Sequence, residues 1–153
     1  MMRFPISDIL GEQECYDFLM RVLHPEGLKC PNGHPLPPDQ APHDRHRAPI
    51  VDYRCRLCGT VFNIFTDTIW KGTRLSCTTI VLFLRGVIQG VPTLQLADEL
   101  EVGYETLLRW RHRIQQVGLE KLPADPLPDR KVEGDEMFQN AGEKGTPHRD
   151  PSD

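Results

Sequence analysis

Three cysteines and one histidine in the first part of the chain have the types and spacing of a metal site. Cys55 and Cys58 stand three residues apart, and Gly59 follows them. Two thiolates at this spacing can bind one tetrahedral ion, and a glycine lets the backbone turn tightly behind the second sulfur. Cys30 and His34 lie upstream, where the other half of such a site is expected. We therefore predict a zinc ribbon in which these two cysteines, Cys30 and His34 hold a structural Zn²⁺.

The fourth ligand is the open point of this prediction. Gly33 occupies the position at which a C-x-x-C knuckle carries its second cysteine, so His34 must reach the ion from one residue later. His43 and His46, in the loop between the two half-sites, are the alternatives, although we expect both to be solvated surface residues. No ligand position is visibly left open for water, which favours a structural site over a catalytic one.

Length and composition favour several small modules in a reducing compartment. The chain has 153 residues, 39% of them apolar, and its 14 prolines indicate interrupted structure. Five cysteines, an odd number, without a signal peptide favour metal binding over disulfides. No apolar run approaches the roughly 20 residues that cross a bilayer. We expect a cytoplasmic protein with no membrane contact.

The net charge of −4 conceals an uneven distribution. Residues 54–131 carry 11 Lys and Arg against 8 Asp and Glu, whereas residues 132–153 carry 2 against 6. The first 29 residues carry 3 against 5, so the middle of the chain is mildly basic and its ends are acidic. Because the distribution of charge matters more than its total, the middle can still bind nucleic acid.

A helical pair around a tight turn is the second strong pattern. The spacing of apolar residues predicts a buried helix over 76–89, a short helix opened by Thr93 and a further helix over 104–116. Ala97 lets the last two helices approach closely. Val102, in the turn just before a glycine, is expected to fill the space between them. Together these features predict a three-helix unit with a helix-turn-helix.

In such a unit the last helix enters the major groove of DNA. Arginines on this helix can read guanine bidentately or hold phosphates, and Arg111 is expected to reach a phosphate. The alternative is an ordinary helical hairpin with a solvated basic face. Glu105 also points outward, and the predicted contacts to double-stranded DNA are Thr106, Arg109, Arg111, His112 and Arg113.

The remaining patterns complete an α+β, multi-module fold. An N-terminal helix over 7–23 has Ser7 and Asp8 as candidate N-caps, and short strands over 51–54 and 60–65 flank the second knuckle. Cys15 and Cys77 are predicted to be packing residues. The expected modules are an N-terminal helix (1–28), a small β zinc ribbon (29–66), a helix-turn-helix domain (70–118), a Pro-rich linker (119–131) and an acidic, disordered tail within 132–153.

The order of these modules resembles the N-terminal part of a DDE-type insertion-sequence transposase. The resemblance covers nearly all of the chain. The motifs that carry it are L-K-C-P at 28–31, Y-R-C-R-L-C-G-T-V-F-N at 53–63, T-D-T-I-W at 66–70, L-A-D-E-L at 96–100, R-W-R-H-R-I at 109–114 and E-G-D-E at 133–136.

The resemblance implies recognition of transposon-end DNA, in the nucleoid, ahead of a catalytic domain with the RNase H-like fold. It makes Asp135 the first of three catalytic carboxylates, which hold two divalent ions, usually Mg²⁺. The chain ends 18 residues after Asp135, so we expect residues 132–153 to be a truncated start of that domain without activity of its own. The resemblance also admits a homo-oligomer. The alternatives are a small zinc-ribbon transcriptional regulator and, ranked lowest, a zinc-dependent enzyme.

Overall fold

The structure, a computed structural model, describes residues 10–122, which form an α+β fold of four helices and one two-stranded sheet. The two strands are antiparallel, with Tyr53 opposite Phe62. The predicted mixed fold class is confirmed at this level. In chain order the elements are α1 (Glu12–Leu23), β1 (Tyr53–Arg54), β2 (Val61–Phe62), α2 (Cys77–Ile88), α3 (Thr93–Leu100) and α4 (Tyr104–Glu120).

Helix α1 begins later than the sequence predicted. Gly11 has an extended backbone at the N-cap position, so the first helical residue is Glu12. Glycine is a poor helix former, which accounts for a start after it rather than before it. The predicted caps, Ser7 and Asp8, lie outside the described residues. The helix buries one face, made of Cys15, Tyr16 and Leu19.

The start of α1 caps the start of α2. The Glu12 carboxylate accepts hydrogen bonds from the backbone N–H of Cys77 at 2.6 Å, from that of Thr78 at 3.0 Å and from the Thr78 hydroxyl at 2.7 Å. The first N–H groups of a helix lack partners within the helix, and the positive end of the helix dipole favours a carboxylate. Glu12 therefore ties two helices together across 65 residues of chain.

Replacing Glu12 with glutamine is expected to lower the free energy of unfolding by about 2 kcal/mol at neutral pH. Partial burial works to raise the pKa of Glu12, but the hydrogen bonds from Thr78 and Cys77 outweigh it and hold the pKa below its ordinary value. A carboxylate with a lowered pKa stabilises the fold above its unfolded-state pKa, and this contribution is lost as the pH falls through the folded-state pKa.

The difference between wild type and Glu12→Gln should therefore shrink towards acid pH, which urea unfolding at a series of pH values would measure. Glu26→Gln is the matched control, because the Glu26 side chain is 86% exposed and its ion-pair partner is exposed Lys29. An equal effect of the two substitutions would contradict a capping role for Glu12.

One core joins α1, the segment after the sheet and the three later helices. Trp70 is 1% exposed and its ring stacks on Trp110, with ring centroids 4.9 Å apart. Phe83 and Leu107 are fully buried beside them in the same cluster. A second, smaller cluster surrounds Cys30, Cys55 and Phe62. The region around the two-stranded sheet therefore has little apolar core of its own.

The two cysteines outside the ribbon are buried, as predicted for packing residues. Cys15 is 4% exposed and Cys77 is 0% exposed. Burial raises the pKa of Cys77 to about 12, and the carboxylate of Glu12 adds to the effect. Its thiol is therefore neutral at physiological pH and unsuited to nucleophilic or metal chemistry.

The sheet is shorter than the predicted strands over 51–54 and 60–65, with two residues in each strand. After β2 the chain turns, and the backbone N–H of Thr66 donates to the Asn63 carbonyl at 3.1 Å. This turn directs Ile64 and Phe65 into the main core. These two apolar residues therefore belong to that core and do not continue the strand.

Helices α2, α3 and α4 lie close to their predicted positions. Gly86 of α2 permits a close approach to α3, because a Cβ atom there would clash with Leu96 Cδ2. Helix α4 continues to Glu120, so the first two residues of the predicted linker over 119–131 are helical. The part of that linker after residue 122 lies outside the described residues, as does the whole segment 132–153.

Candidate metal centre and nucleic-acid interface

The structure brings the four predicted metal ligands together. One donor atom from each of Cys30, His34, Cys55 and Cys58 lies within 4.8 Å of all the others. The Sγ atoms of Cys30 and Cys58 are 3.4 Å apart, and Cys55 Sγ is 3.5 Å from His34 Nδ1. Sulfur and nitrogen ligands of one tetrahedral zinc ion lie about 3.5–3.8 Å from each other. The two measured distances are close to these values, and all four donor atoms are near enough to hold one metal ion.

Two tight turns present these donors. The backbone N–H of Gly33 donates to the Cys30 carbonyl at 2.8 Å, and that of Gly59 to the Cys55 carbonyl at 2.9 Å. Both glycines have left-handed backbones, with φ of 84° and 75°. A side chain at either position would be strained, so glycine favours these sharp turns.

Hydrogen bonds around the sulfurs favour the thiolate form at two of the three cysteines. The pKa of Cys58 is lowered to about 5 by its hydrogen bond with the Thr60 hydroxyl and by the one that the Asn32 amide donates, each with 3.3 Å between the heavy atoms. The backbone N–H of Cys58 lowers the pKa of Cys55. Burial raises the pKa of Cys30. Since the thiolate is the metal-binding form, the lowered pKa values of Cys55 and Cys58 favour binding of a cation at this knuckle.

His34, rather than His43 or His46, completes the donor group. His46 Nδ1 lies 2.5 Å from an Asp44 carboxylate oxygen, and both side chains are well exposed. The backbone N–H of His43 pairs with the Asp52 carbonyl at 2.7 Å. Three cysteines and one histidine form a donor set that suits zinc, and they would supply all four ligands of a tetrahedral ion.

Helices α3 and α4 are joined by the short turn that the sequence predicted. Glu101 ends α3 in a left-handed conformation, with φ of 54°. The backbone N–H of Val102 returns to the Ala97 carbonyl at 3.1 Å, and Gly103 is the N-cap of α4. Ala97 is buried, which allows the close approach expected of a small residue there.

One side of α4 is exposed along much of its length. Glu105, Arg109, His112 and Gln116 are exposed and recur at intervals of four, three and four residues, which places them on one face of a helix. We call these four residues the outer face of α4. Sequence reasoning missed Gln116, although it stands one helical turn after His112. Thr106, a predicted DNA contact, is half-buried beside this face.

Two arginines of α4 have defined partners within the protein. The Arg111 guanidinium donates to the Thr93 hydroxyl at 2.7 Å and to the Val91 carbonyl at 2.8 Å. Arg111 therefore joins α4 to the start of α3 and does not have the free guanidinium expected of a phosphate contact. Arg113 is exposed, and its guanidinium carbon lies 4.8 Å from the centre of the Trp110 ring.

Asp135, the predicted catalytic carboxylate, lies outside the described residues. Among residues 10–122, no helix is both long enough and apolar enough to cross a membrane. Comparison with family models, curated proteins and solved structures finds no match to this chain.

Proposed function

We propose that this chain binds double-stranded DNA through α4 and is the N-terminal, DNA-binding part of an insertion-sequence transposase that recognises transposon ends. The observation that supports DNA binding is the outer face of α4, which presents Arg109 and His112 on a helix packed against α3 through a tight turn. We propose that the two helices act as a helix-turn-helix, in which the second helix lies in the major groove.

The chemistry of the outer face suits base recognition. Arg109 can donate two hydrogen bonds to guanine, and Gln116 can do the same with adenine. Glu105 cannot approach a phosphate closely, but its carboxylate can accept a hydrogen bond from the amino group of cytosine. Arg113 is placed at the border of this face, where a contact to a phosphate is favoured over one to a base.

We also propose that Zn²⁺ occupies the Cys30, His34, Cys55 and Cys58 site in a structural role. With four protein ligands, the ion has no open position for a substrate or an activated water. Its contribution is to fold the ribbon, because the cluster around Phe62 buries few apolar side chains. The folded ribbon then positions the segment 64–73, which packs against α4 through Trp70.

The assignment to a transposase rests on the resemblance of the sequence motifs, which include the E-G-D-E run around Asp135. Three carboxylates are required to hold the two metal ions of that chemistry. We propose that the described residues, 10–122, contribute DNA recognition and not DNA cleavage. Robust cleavage of transposon-end DNA by the purified chain in Mg²⁺ would contradict that part of the proposal.

Replacing Arg109 with alanine is expected to weaken specific DNA binding by about 5- to 150-fold, because a bidentate contact to a base contributes about 1–3 kcal/mol of discrimination. The zinc-loaded chain would first select duplexes from a random pool, and fluorescence anisotropy would then compare wild type with the variant on the selected duplex. Arg21→Ala is the matched control, because Arg21 is an exposed arginine on α1. Absence of salt-dependent binding by the wild type, or equal affinities of the two variants, would refute DNA binding through α4.

A further inference from the structure

A basic groove lies beside the outer face of α4. It has a volume of about 400 Å³ and runs between the segment around Lys71 and the C-terminal half of α4. Lys71 and Arg113 line it from the two sides, and Gln116 of the outer face forms part of its wall. The groove is therefore continuous with the surface that we propose to face DNA.

The backbone on the Lys71 side of the groove is held in place. Trp70, the preceding residue, is buried and stacks on Trp110, whose ring also carries the guanidinium of Arg113. The backbone N–H of Lys71 donates to the Thr68 carbonyl at 3.1 Å, which closes a turn. The segment that carries Lys71 is thus anchored to α4 through the tryptophan pair, and Arg113 contacts one member of that pair.

The charges of the groove favour an anion. Neither Lys71 nor Arg113 belongs to an ion pair among the described residues, where the pairs are Lys29 with Glu26 and His46 with Asp44. Glu120 is the one carboxylate among the residues that line the groove, and its Oε1 atom accepts a hydrogen bond from the Gln116 amide at 3.2 Å. An anion would therefore sit between Lys71 and Arg113, away from Glu120 at the end of α4.

We propose that Lys71 and Arg113 together hold the sugar–phosphate backbone of DNA along one edge of the major groove that α4 enters. The proposal rests on the DNA binding proposed above. An α-helix with its side chains is about 10–12 Å across and the major groove is about 12 Å wide, so the flanks of the helix lie against the phosphates. Arg113 follows His112 of the outer face and so lies on one flank, where Lys71 adds a second cation from a different segment of the chain.

The test is the salt dependence of DNA binding by Lys71→Ala. Each phosphate contact contributes about 0.9 to the slope of log affinity against log salt concentration. We expect Lys71→Ala to lower that slope by about one and to weaken binding to all duplexes about equally, since phosphate contacts position a protein without reading the bases. Lys71→Arg should keep the wild-type slope, and Arg21→Ala is again the control of equal charge change.

The possible outcomes separate this inference from the proposed function. In one outcome, wild type and Arg21→Ala bind DNA and Arg109→Ala binds more weakly, but the salt-dependence slope of Lys71→Ala equals that of Arg21→Ala. This outcome refutes the phosphate contact and leaves DNA binding through α4 in place. If the wild type binds no duplex, both are refuted. A change of base preference in Lys71→Ala would also overturn the inference. As a control for folding, the variants should have the zinc content and the circular dichroism spectrum of the wild type.

Discussion

Replacing Cys55 with serine is expected to abolish stoichiometric zinc binding and to unfold the ribbon. Structural zinc sites contribute on the order of 10 kcal/mol to folding, which makes this the largest effect that we predict. Cys55 is 7% exposed, so the substitution leaves a poor ligand in a buried site next to Cys30 and Phe62. A strong chelator should have the same effect on the wild type. Metal analysis and thermal unfolding with and without the chelator would measure both.

Cys15→Ala is the matched control for this prediction. Cys15 is 4% exposed and belongs to the main core, away from the four ligands. This variant should keep one zinc ion per chain and an unfolding transition that responds to the chelator. His34→Ala and His46→Ala extend the comparison, because only the first should lose affinity for the metal. Wild-type zinc content in Cys55→Ser, or an unchanged transition after chelation, would contradict a structural zinc site.

Replacing Trp70 with alanine is expected to lower the free energy of unfolding by about 3–5 kcal/mol, the usual cost of removing a large aromatic residue from a core. Trp70 is 1% exposed, and its stacking on Trp110 adds to the contribution of its buried area. The loss should also release the segment that carries Lys71. We therefore expect weaker DNA binding in addition to lower stability, measured by urea unfolding and by anisotropy on the zinc-loaded chain.

Two control variants test whether the loss of stability in Trp70→Ala comes from the buried tryptophan pair. Trp70→Phe keeps an aromatic ring against Trp110 and should cost clearly less than the alanine variant. Tyr104→Ala removes an aromatic side chain that is 42% exposed at the start of α4, so it should change stability little. A Trp70→Ala protein within about 1 kcal/mol of the wild type would show that the tryptophan pair does not hold the segment to α4.

The sequence alone determined the local features of this protein. A glycine after Cys58 predicted the sharp turn of the knuckle, and Gly59 has the left-handed backbone that glycine adopts without strain. The spacing of apolar residues predicted α2, α3 and α4, and the turn around Val102 lies where it was expected. These features were predictable because helix periodicity and turn chemistry are encoded within a few neighbouring residues.

The tertiary structure decided which distant residues meet. It selects His34 over the histidines of the loop, and it directs Arg111 to the start of α3, whereas the helix-turn-helix pattern had predicted a phosphate contact for this residue. It also pairs Trp70 with Trp110 and brings Glu12 to the first turn of α2. Glu12 and Cys77 are 65 residues apart in the chain, and no local pattern relates them. Such contacts form when separate elements bury their apolar faces in one core, and only the folded chain shows which polar groups that packing brings together.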